Sequence, residues 1–162
     1  MAKTLDNFVK HRTQLLAEVW LTRNNNVKVV PFDLDTGFQL LAKVIPKDLS
    51  KTYLFGVLLE GTTSPLPSEE DATRYLSGRD RIPKRAEVFN FPVLVIVCSM
   101  ENDKAYYTWQ SEPIITGGGI PGLETPRSFA GKRLDTSALK MIIERVSRWH
   151  EGLYSLLLDQ SR

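Results

Sequence analysis

The spacing of apolar side chains predicts a helix at each end of the chain. Near the N-terminus they recur at steps of three and four, which is typical of one helix face. The positions are Leu5, Phe8, Val9, Leu15, Leu16 and Val19. Thr4 or Asp6 can cap this helix, and the asparagines at 24–26 end it. A longer helical pattern follows Asp135 or Thr136 and continues almost to the C-terminus.

Five runs of apolar and β-branched residues between these helices predict strands. The runs 27–33, 38–46 and 51–61 are separated by short polar turns, which favours an antiparallel meander. Residues 91–100 are apolar throughout, as in a central strand that is covered on both faces, and 104–110 predicts a hairpin partner for it. We therefore expect one α+β domain, with about five strands between an N-terminal and a C-terminal helix.

Two polar or glycine-rich segments interrupt this pattern and predict loops. Residues 62–87 are polar and contain three prolines, with one helical turn expected between Ser68 and Leu76. Residues 116–133 are rich in glycine and proline, and long loops in compact domains are often functional. The glycines at 117–119 do not form a phosphate-binding loop, because no lysine and hydroxyl residue follow them at the required spacing.

Composition narrows the class of protein without giving a function. The 162 residues are 42% hydrophobic and 25% charged, which is typical of a globular domain and excludes a disordered or collagen-like chain. The only cysteine, Cys98, lies in an apolar run and is expected to be a buried small hydrophobe. One cysteine forms no internal disulfide, and neither a signal peptide nor a stretch long enough to span a membrane is apparent. We expect a cytoplasmic protein.

Histidine and carboxylate positions limit the chemistry. The two histidines, His11 and His150, lie outside the main apolar stripes and are expected at the surface, which argues against a triad or a histidine-rich metal site. The carboxylates with a suggestive placement are Glu18, Asp33, Asp35 and Glu60, from one helix and two neighbouring strand ends. Such a set can hold Mg²⁺. Alternatively, the two aspartates form a turn and Glu60 is a surface charge at a strand end.

The order of these elements resembles the PD-(D/E)XK, or restriction-endonuclease-like, superfamily over residues 8–113. The shared features are a late glutamate in the first helix, an Asp-x-Gly turn before a strand, a strand ending before Gly-Thr, and the runs FPVLVIV and YYTW. The nearest family is a bacterial one of unknown function that is linked to phage defence. The resemblance implies a mixed sheet, a core at 1–113, and an appended loop and helix at 114–162.

The resemblance assigns a catalytic site and also implies that it is degenerate. Its helix glutamate falls on Glu18 and its turn begins at Asp35. Its metal-binding aspartate falls on Gln39, and its water-orienting lysine falls on Glu60. An amide brings no charge to a metal, and a carboxylate cannot replace a cation beside a phosphate. We expect an inactive site that needs no cofactor. The alternative is an active, Mg²⁺-dependent DNA endonuclease in which Asp35 and Glu60 bind the metal and Lys43 supplies the cation.

An inactive nuclease-like domain leaves two binding roles. One is DNA binding through a cluster of basic residues, namely Arg74, Arg79, Arg81, Lys84 and Arg85, which Lys132 and Arg133 would extend. The net charge of +2 gives this role little long-range support, and the alternative is that the cluster is a solvated loop. The other role is protein interaction, as a homodimer or with a partner, through the leucines of the C-terminal helix, Leu153, Leu156, Leu157 and Leu158.

Overall fold

The computed structural model describes residues 2–32, 39–78 and 90–161, and confirms an α+β architecture with a helix at each end. In chain order the elements are α1 (Ala2–Leu21), β1 (Val27–Pro31), β2 (Leu40–Val44), β3 (Tyr53–Thr62), α2 (Glu69–Ser77), β4 (Val93–Ser99), β5 (Ala105–Ile115), β6 (Pro121–Glu124), β7 (Lys132–Arg133) and α3 (Thr136–Gln160). The helical turn expected near residue 70 is a full helix, α2. Ser68 caps it by accepting a hydrogen bond from the backbone N–H of Asp71.

The strands form one open, mixed sheet in the order β1-β2-β3-β4-β5-β6, and β7 also pairs with β5. The first three strands form the predicted antiparallel meander. β3 and β4 are parallel, and the chain crosses between them through α2. β4 lies between two neighbours and is buried along its whole length, as its continuous apolar sequence predicts.

The glycine-rich segment adds two strands that the sequence did not predict, so the described residues form a sheet of seven strands instead of about five. Residues 116–120 form a tight turn in which Gly119 adopts a positive φ of 74°. This turn lets β6 fold back on β5, with Glu124 opposite Glu112. Glycine and proline have low strand propensity, so the sequence does not indicate β6. Pro121 is tolerated because β6 is an edge strand.

Helices α1 and α3 cover one face of the sheet, and α2 lies on the other. The first face and its helices form the main core, which includes Ala17, Phe55, Ile96, Tyr107 and Ile142. The α2 face forms a smaller cluster with the segments that follow β3 and β6. Its members are Leu66, Ala72, Leu76, Val95, Val97, Tyr106 and Phe129. Cys98 is buried as expected, and desolvation raises the pKa of its thiol to about 12.

Helix α1 lies close to β3 because Gly61 has no side chain. A Cβ atom at Gly61 would lie 2.1 Å from Thr13 Oγ1 and 2.7 Å from Val9 Cγ1. The side of α1 that packs on the sheet therefore consists of small or medium residues at this point, followed by Ala17 and Leu21, both fully buried. Close approach of a helix to a strand requires small side chains at the contact.

The apolar face predicted for α1 is only partly the face that packs on the sheet, so this expectation was wrong in detail. Four of its members are exposed to solvent, with exposed fractions of 53–63%. They are Leu5, Phe8, Leu15 and Val19. The buried side instead contains Thr13 and Ala17, which periodicity rules do not count as strongly apolar. No helix in the described part of the chain has the length and apolar character needed to cross a membrane.

Candidate functional site

The two glutamates of the predicted catalytic set lie on opposite sides of the sheet. Gly61 faces Thr13 of α1, and side chains alternate along a strand, so Glu60 faces away from α1. Leu58, two residues earlier, packs on the α2 side in agreement with this alternation. Glu18 lies on α1, where it accepts a hydrogen bond from Gln14 Nε2 at 3.0 Å. The sheet therefore separates Glu18 from Glu60.

Gln39 has a structural partner that its sequence position did not predict. It lies directly before β2, and its side-chain Oε1 accepts a hydrogen bond from the backbone N–H of Leu59 at 2.8 Å. Its own N–H donates to the carbonyl of Val57 at 3.0 Å. The amide thus extends the pairing of β2 with β3 and lies beside Glu60. The amide oxygen of Gln39 supplies the acceptor that this position of the ladder needs.

The other residues assigned to the predicted site are an aspartate of the predicted turn, Asp35, and a lysine of β2, Lys43. Asp35, together with Asp33, lies outside the described residues. Lys43 is exposed on β2, directly opposite Lys28 of β1. Among the residues that the structure describes, no group of three or more histidine, cysteine, aspartate or glutamate side chains can hold a metal ion. The described part of the chain therefore gives no geometry from which a metal-dependent step can be derived.

The basic cluster proposed for DNA is described only at its first residue and at its proposed extension. Arg79, Arg81, Lys84 and Arg85 lie outside the described residues. Arg74, on α2, forms ion pairs with Glu70 at 3.2 Å and with Asp71 at 3.5 Å, all three being charges of the same helix. Arg133 donates its backbone N–H to Glu69 Oε1 at 2.7 Å, and its guanidinium lies 5.6 Å from the centre of the Tyr106 ring. Acidic residues of α2 thus pair with the Arg74 guanidinium, whereas Arg133 contacts α2 through its backbone N–H.

The exposed apolar residues of α1 form a surface feature of their own, which we call the α1 stripe: Leu5, Phe8, Leu15 and Val19. Their spacing, with Arg12 between Phe8 and Leu15, follows steps of three and four, so they lie along one side of the helix. Arg12 pairs with Asp103 at 2.6 Å, in the turn between β4 and β5. The stripe is apolar at both ends and has an internally paired charge at its centre.

The C-terminal end of α3, predicted as a contact surface, is also apolar. Leu156, Leu157 and Leu158 are exposed and Leu153 is half-buried. By helical spacing Leu153, Leu156 and Leu157 lie on one side of α3, and Leu158 points to another. The preceding turn is anchored to the start of β3. His150, expected at the surface, is half-buried there and stacks on Tyr53 with 5.4 Å between ring centres. Burial lowers the pKa of this imidazole, and its hydrogen bond to the Leu54 carbonyl opposes the shift.

A cleft of about 210 Å³ lies where β5, β7 and α3 meet, and we call it the β5 cleft. Its walls are Tyr107, Thr108, Trp109, Glu112, Pro126, Ser128, Ala130, Lys132, Met141, Ile142 and Arg145. Part of its rim comes from the glycine-rich segment that was expected to be a functional loop. The residues of the cleft come from three separate segments, so no local spacing in the sequence indicates it.

Comparison with known proteins does not supply an identity for either surface. The chain matches no protein-family model, no curated protein and no solved structure. Function is therefore inferred from the α1 stripe, the β5 cleft and the residues that surround them.

Proposed function

We propose that this domain is a protein-interaction module without hydrolytic activity, and that the α1 stripe is its contact surface. The observation behind this proposal is the exposure of four large apolar side chains on one side of a helix whose other side is already packed on the sheet. Contiguous exposed apolar patches on soluble proteins are typical of interaction sites. The spacing of the stripe suits a second helix, whose side chains would pack between those of α1.

Energetics indicate that the partner must cover more than the stripe itself. Complete burial of a leucine or phenylalanine contributes about 2 kcal/mol, so four half-exposed side chains offer about 4 kcal/mol. Association costs about 4 kcal/mol or more in lost translational and rotational freedom. A stable complex therefore needs further contacts beside α1, and the partner must be larger than a single short helix.

The charge at the centre of the stripe favours a different protein over a second copy of this chain. Arg12 lies midway between Leu5 and Val19, so a symmetric antiparallel pairing of two α1 helices would place both copies of Arg12 near the twofold axis. Each Arg12 forms an ion pair with Asp103 of its own copy, so pairing of the two helices would remove two ion pairs from water. Desolvation of ion pairs is costly. A different protein can present a small or polar side chain at this point.

The carboxylate placement supports the absence of hydrolysis, and the ion pairs of α2 make DNA binding the weaker role. Glu18 and Glu60 face opposite sides of the sheet, and Gln39 is engaged with the backbone of β3. Arg74 is already paired within α2. The nuclease-like character of the domain stays a prediction from the sequence, and the proposed contact surface on α1 does not depend on it.

The test is quantitative affinity purification with variants of the stripe. We expect wild type to recover a defined protein that the double variant Phe8→Gln/Leu15→Gln loses, and that binds purified wild type again in isolation. The matched control is Leu157→Gln/Leu158→Gln, which alters equally exposed leucines on α3. Because all four side chains are exposed, both variants should unfold within about 0.5 kcal/mol per substitution of wild type.

Two outcomes would contradict the proposed function. One is a homodimer, measured by light scattering, that the stripe variant converts to a monomer, since this would make a second copy the occupant. The other is cleavage of plasmid DNA in Mg²⁺ or Mn²⁺ that is lost in Glu60→Ala. Recovery of the same partner by wild type and by the stripe variant would place the contact surface elsewhere on the domain.

A further inference from the structure

We propose that the β5 cleft binds a small organic anion with a flat, apolar body. The proposal is independent of the α1 stripe, because the cleft is formed by β5, β7, the segment before β7, and α3. Three side chains that donate hydrogen bonds line it from three different elements: Tyr107 of β5, Lys132 of β7 and Arg145 of α3. The lining also contains the polar residues Thr108, Glu112 and Ser128 beside its apolar members, and convergence of polar groups on a partly apolar cleft is typical of ligand sites.

Arg145 is held in place and still has donors to offer. Its Nη1 donates a hydrogen bond to Glu112 Oε1, across from α3 to β5. A guanidinium has five N–H groups, and a fixed one can bind an anion through those that remain. Glu112 is the more buried partner, with 27% of its side chain exposed against 52% for Arg145. The carboxylate thus positions the arginine from below and leaves its outer edge toward solvent.

Lys132 and Tyr107 are neighbours by strand pairing. They lie directly opposite each other in the antiparallel pair of β5 and β7, so their side chains leave the sheet on the same face. Lys132 is exposed and, in the part of the chain that the structure describes, forms no ion pair. Among the residues that line the cleft, Lys132 and Arg145 bring two positive charges against one negative charge from Glu112, while Glu69 and Asp135 act on Tyr107 from outside the lining. The charged donors of Lys132 and Arg145 favour an anionic headgroup over a cationic one.

The rest of the cleft selects for an apolar body of limited size. Trp109 and Ile142 form a buried part of the wall, and Met141, which is 62% exposed, lies at the rim. Aromatic and thioether groups pack well against flat rings. Drug-sized ligands occupy about 300 Å³ or more. A cleft of about 210 Å³ therefore suits a molecule of one ring with an anionic group, and benzoate and phenyl phosphate represent this chemistry.

The test is a titration followed by amide and indole NMR signals of the whole chain. We expect benzoate, phenyl phosphate or both to bind saturably with a Kd of about 1 mM, since a small ligand gains little energy in total. The largest shifts should come from the Trp109 indole and from residues 107–112. Comparison of the two anions shows which headgroup is preferred. Benzyl alcohol and benzylamine, which have the same ring, should bind at least about fivefold more weakly.

Variants distinguish the cleft from a general attraction of anions to a basic surface. Lys132→Gln and Arg145→Gln should each weaken binding about fivefold or more, because each removes a charged hydrogen bond. Lys28→Gln, which removes an exposed lysine on β1, should leave the Kd unchanged. Thermal unfolding checks that each variant is folded. The proposal is overturned if neither anion saturates the Trp109 shift, if benzylamine binds as well as the anions, or if Lys28→Gln weakens binding as much as Lys132→Gln does.

Discussion

Helices α1 and α3 cover the same face of the same sheet but are held there in different ways. α1 approaches β3 with small side chains over Gly61, and four of its large apolar residues remain outside as the α1 stripe. α3 turns large side chains inward, including Ile142 and Trp149, and adds polar contacts at its C-terminal half. The comparison shows that an apolar side chain on a helix does not by itself identify the packed side. The space left by the neighbouring strand decides which residues fit.

The largest expected loss of stability comes from removal of a buried side chain of α3. Trp149 is 4% exposed, and its Nε1–H donates to the carbonyl of Gly122 at 2.8 Å. Trp149→Ala should lower the free energy of unfolding by about 4 kcal/mol, because it leaves a cavity and an unpaired carbonyl. Urea denaturation measures this loss.

The matched change on α1 is Trp20→Ala. Trp20 is only half-buried and lies under the guanidinium of Arg23, 3.7 Å from its ring centre. We expect its loss to cost about half as much as that of Trp149. Equal costs for the two substitutions would remove the distinction between a helix held by large side chains and one held by close approach.

A loss of stability similar to that of Trp20→Ala is expected where α1 meets β3. Gly61→Ala places a methyl group against Thr13 Oγ1, which itself donates to the Val9 carbonyl at 2.7 Å and cannot easily move. Overpacking of this kind costs about 2 kcal/mol, again measured by urea denaturation. Gly117→Ala is the control, because a methyl group there would meet no atom within 4 Å and the φ of Gly117 is not positive.

A double-mutant cycle tests the contact between Gly61 and Thr13 directly. Thr13→Ala removes the hydroxyl that the new methyl group meets, so the pair Thr13→Ala/Gly61→Ala should be less destabilised than the sum of the single variants. Strict additivity would show that the two residues are not in the contact that holds α1 to the sheet.

The smallest expected effect is the change in the free energy of unfolding with pH that comes from His150 on α3. Burial lowers the pKa of His150 in the folded state below its ordinary value of 6.5. In the unfolded chain the imidazole takes up a proton at about that ordinary value. The unfolded state therefore binds more protons than the folded state below pH 6.5, and stability falls as the pH is lowered through this range. Above pH 6.5 the free energy of unfolding no longer changes with pH through His150.

The measurement is the midpoint of urea unfolding between weakly alkaline and weakly acidic pH. His150→Gln should flatten the dependence, because it removes the buried imidazole. A wild-type stability that rises as the pH falls through this range would contradict the assigned direction.

The order of the elements could be predicted from the sequence because each depends on local spacing. The central strand β4 follows from its unbroken apolar run, and burial of Cys98 follows from its place in that run. Strands β6 and β7 could not be predicted, since their residues have low strand propensity and gain their structure from the long edge of β5. The packed side of α1 depends on Gly61, which is 44 residues from Ala17 in sequence.

The candidate sites were less predictable than the fold. The catalytic set of Glu18, Asp35, Gln39 and Glu60 stays a prediction. The hydrogen bond from Leu59 to Gln39 depends on strand register, which spacing alone does not give. Lys132 was noted only as an extension of a basic loop, although it lies opposite Tyr107 in the β5 cleft. Pairs that meet through tertiary structure have no signature in a single sequence.

The parallel pairing of β3 with β4 also determines which fragments of the chain keep both edges of β3 paired. Val57 pairs with Leu94, so the inner edge of β3 has no partner until the chain has extended well beyond α2. Any fragment that ends before β4 exposes the backbone groups and apolar side chains of a ten-residue strand. Unpaired edges of this length promote association between chains. The N-terminal helix and meander therefore lack the strand that covers the inner edge of β3 until the second half of the sequence has been synthesised.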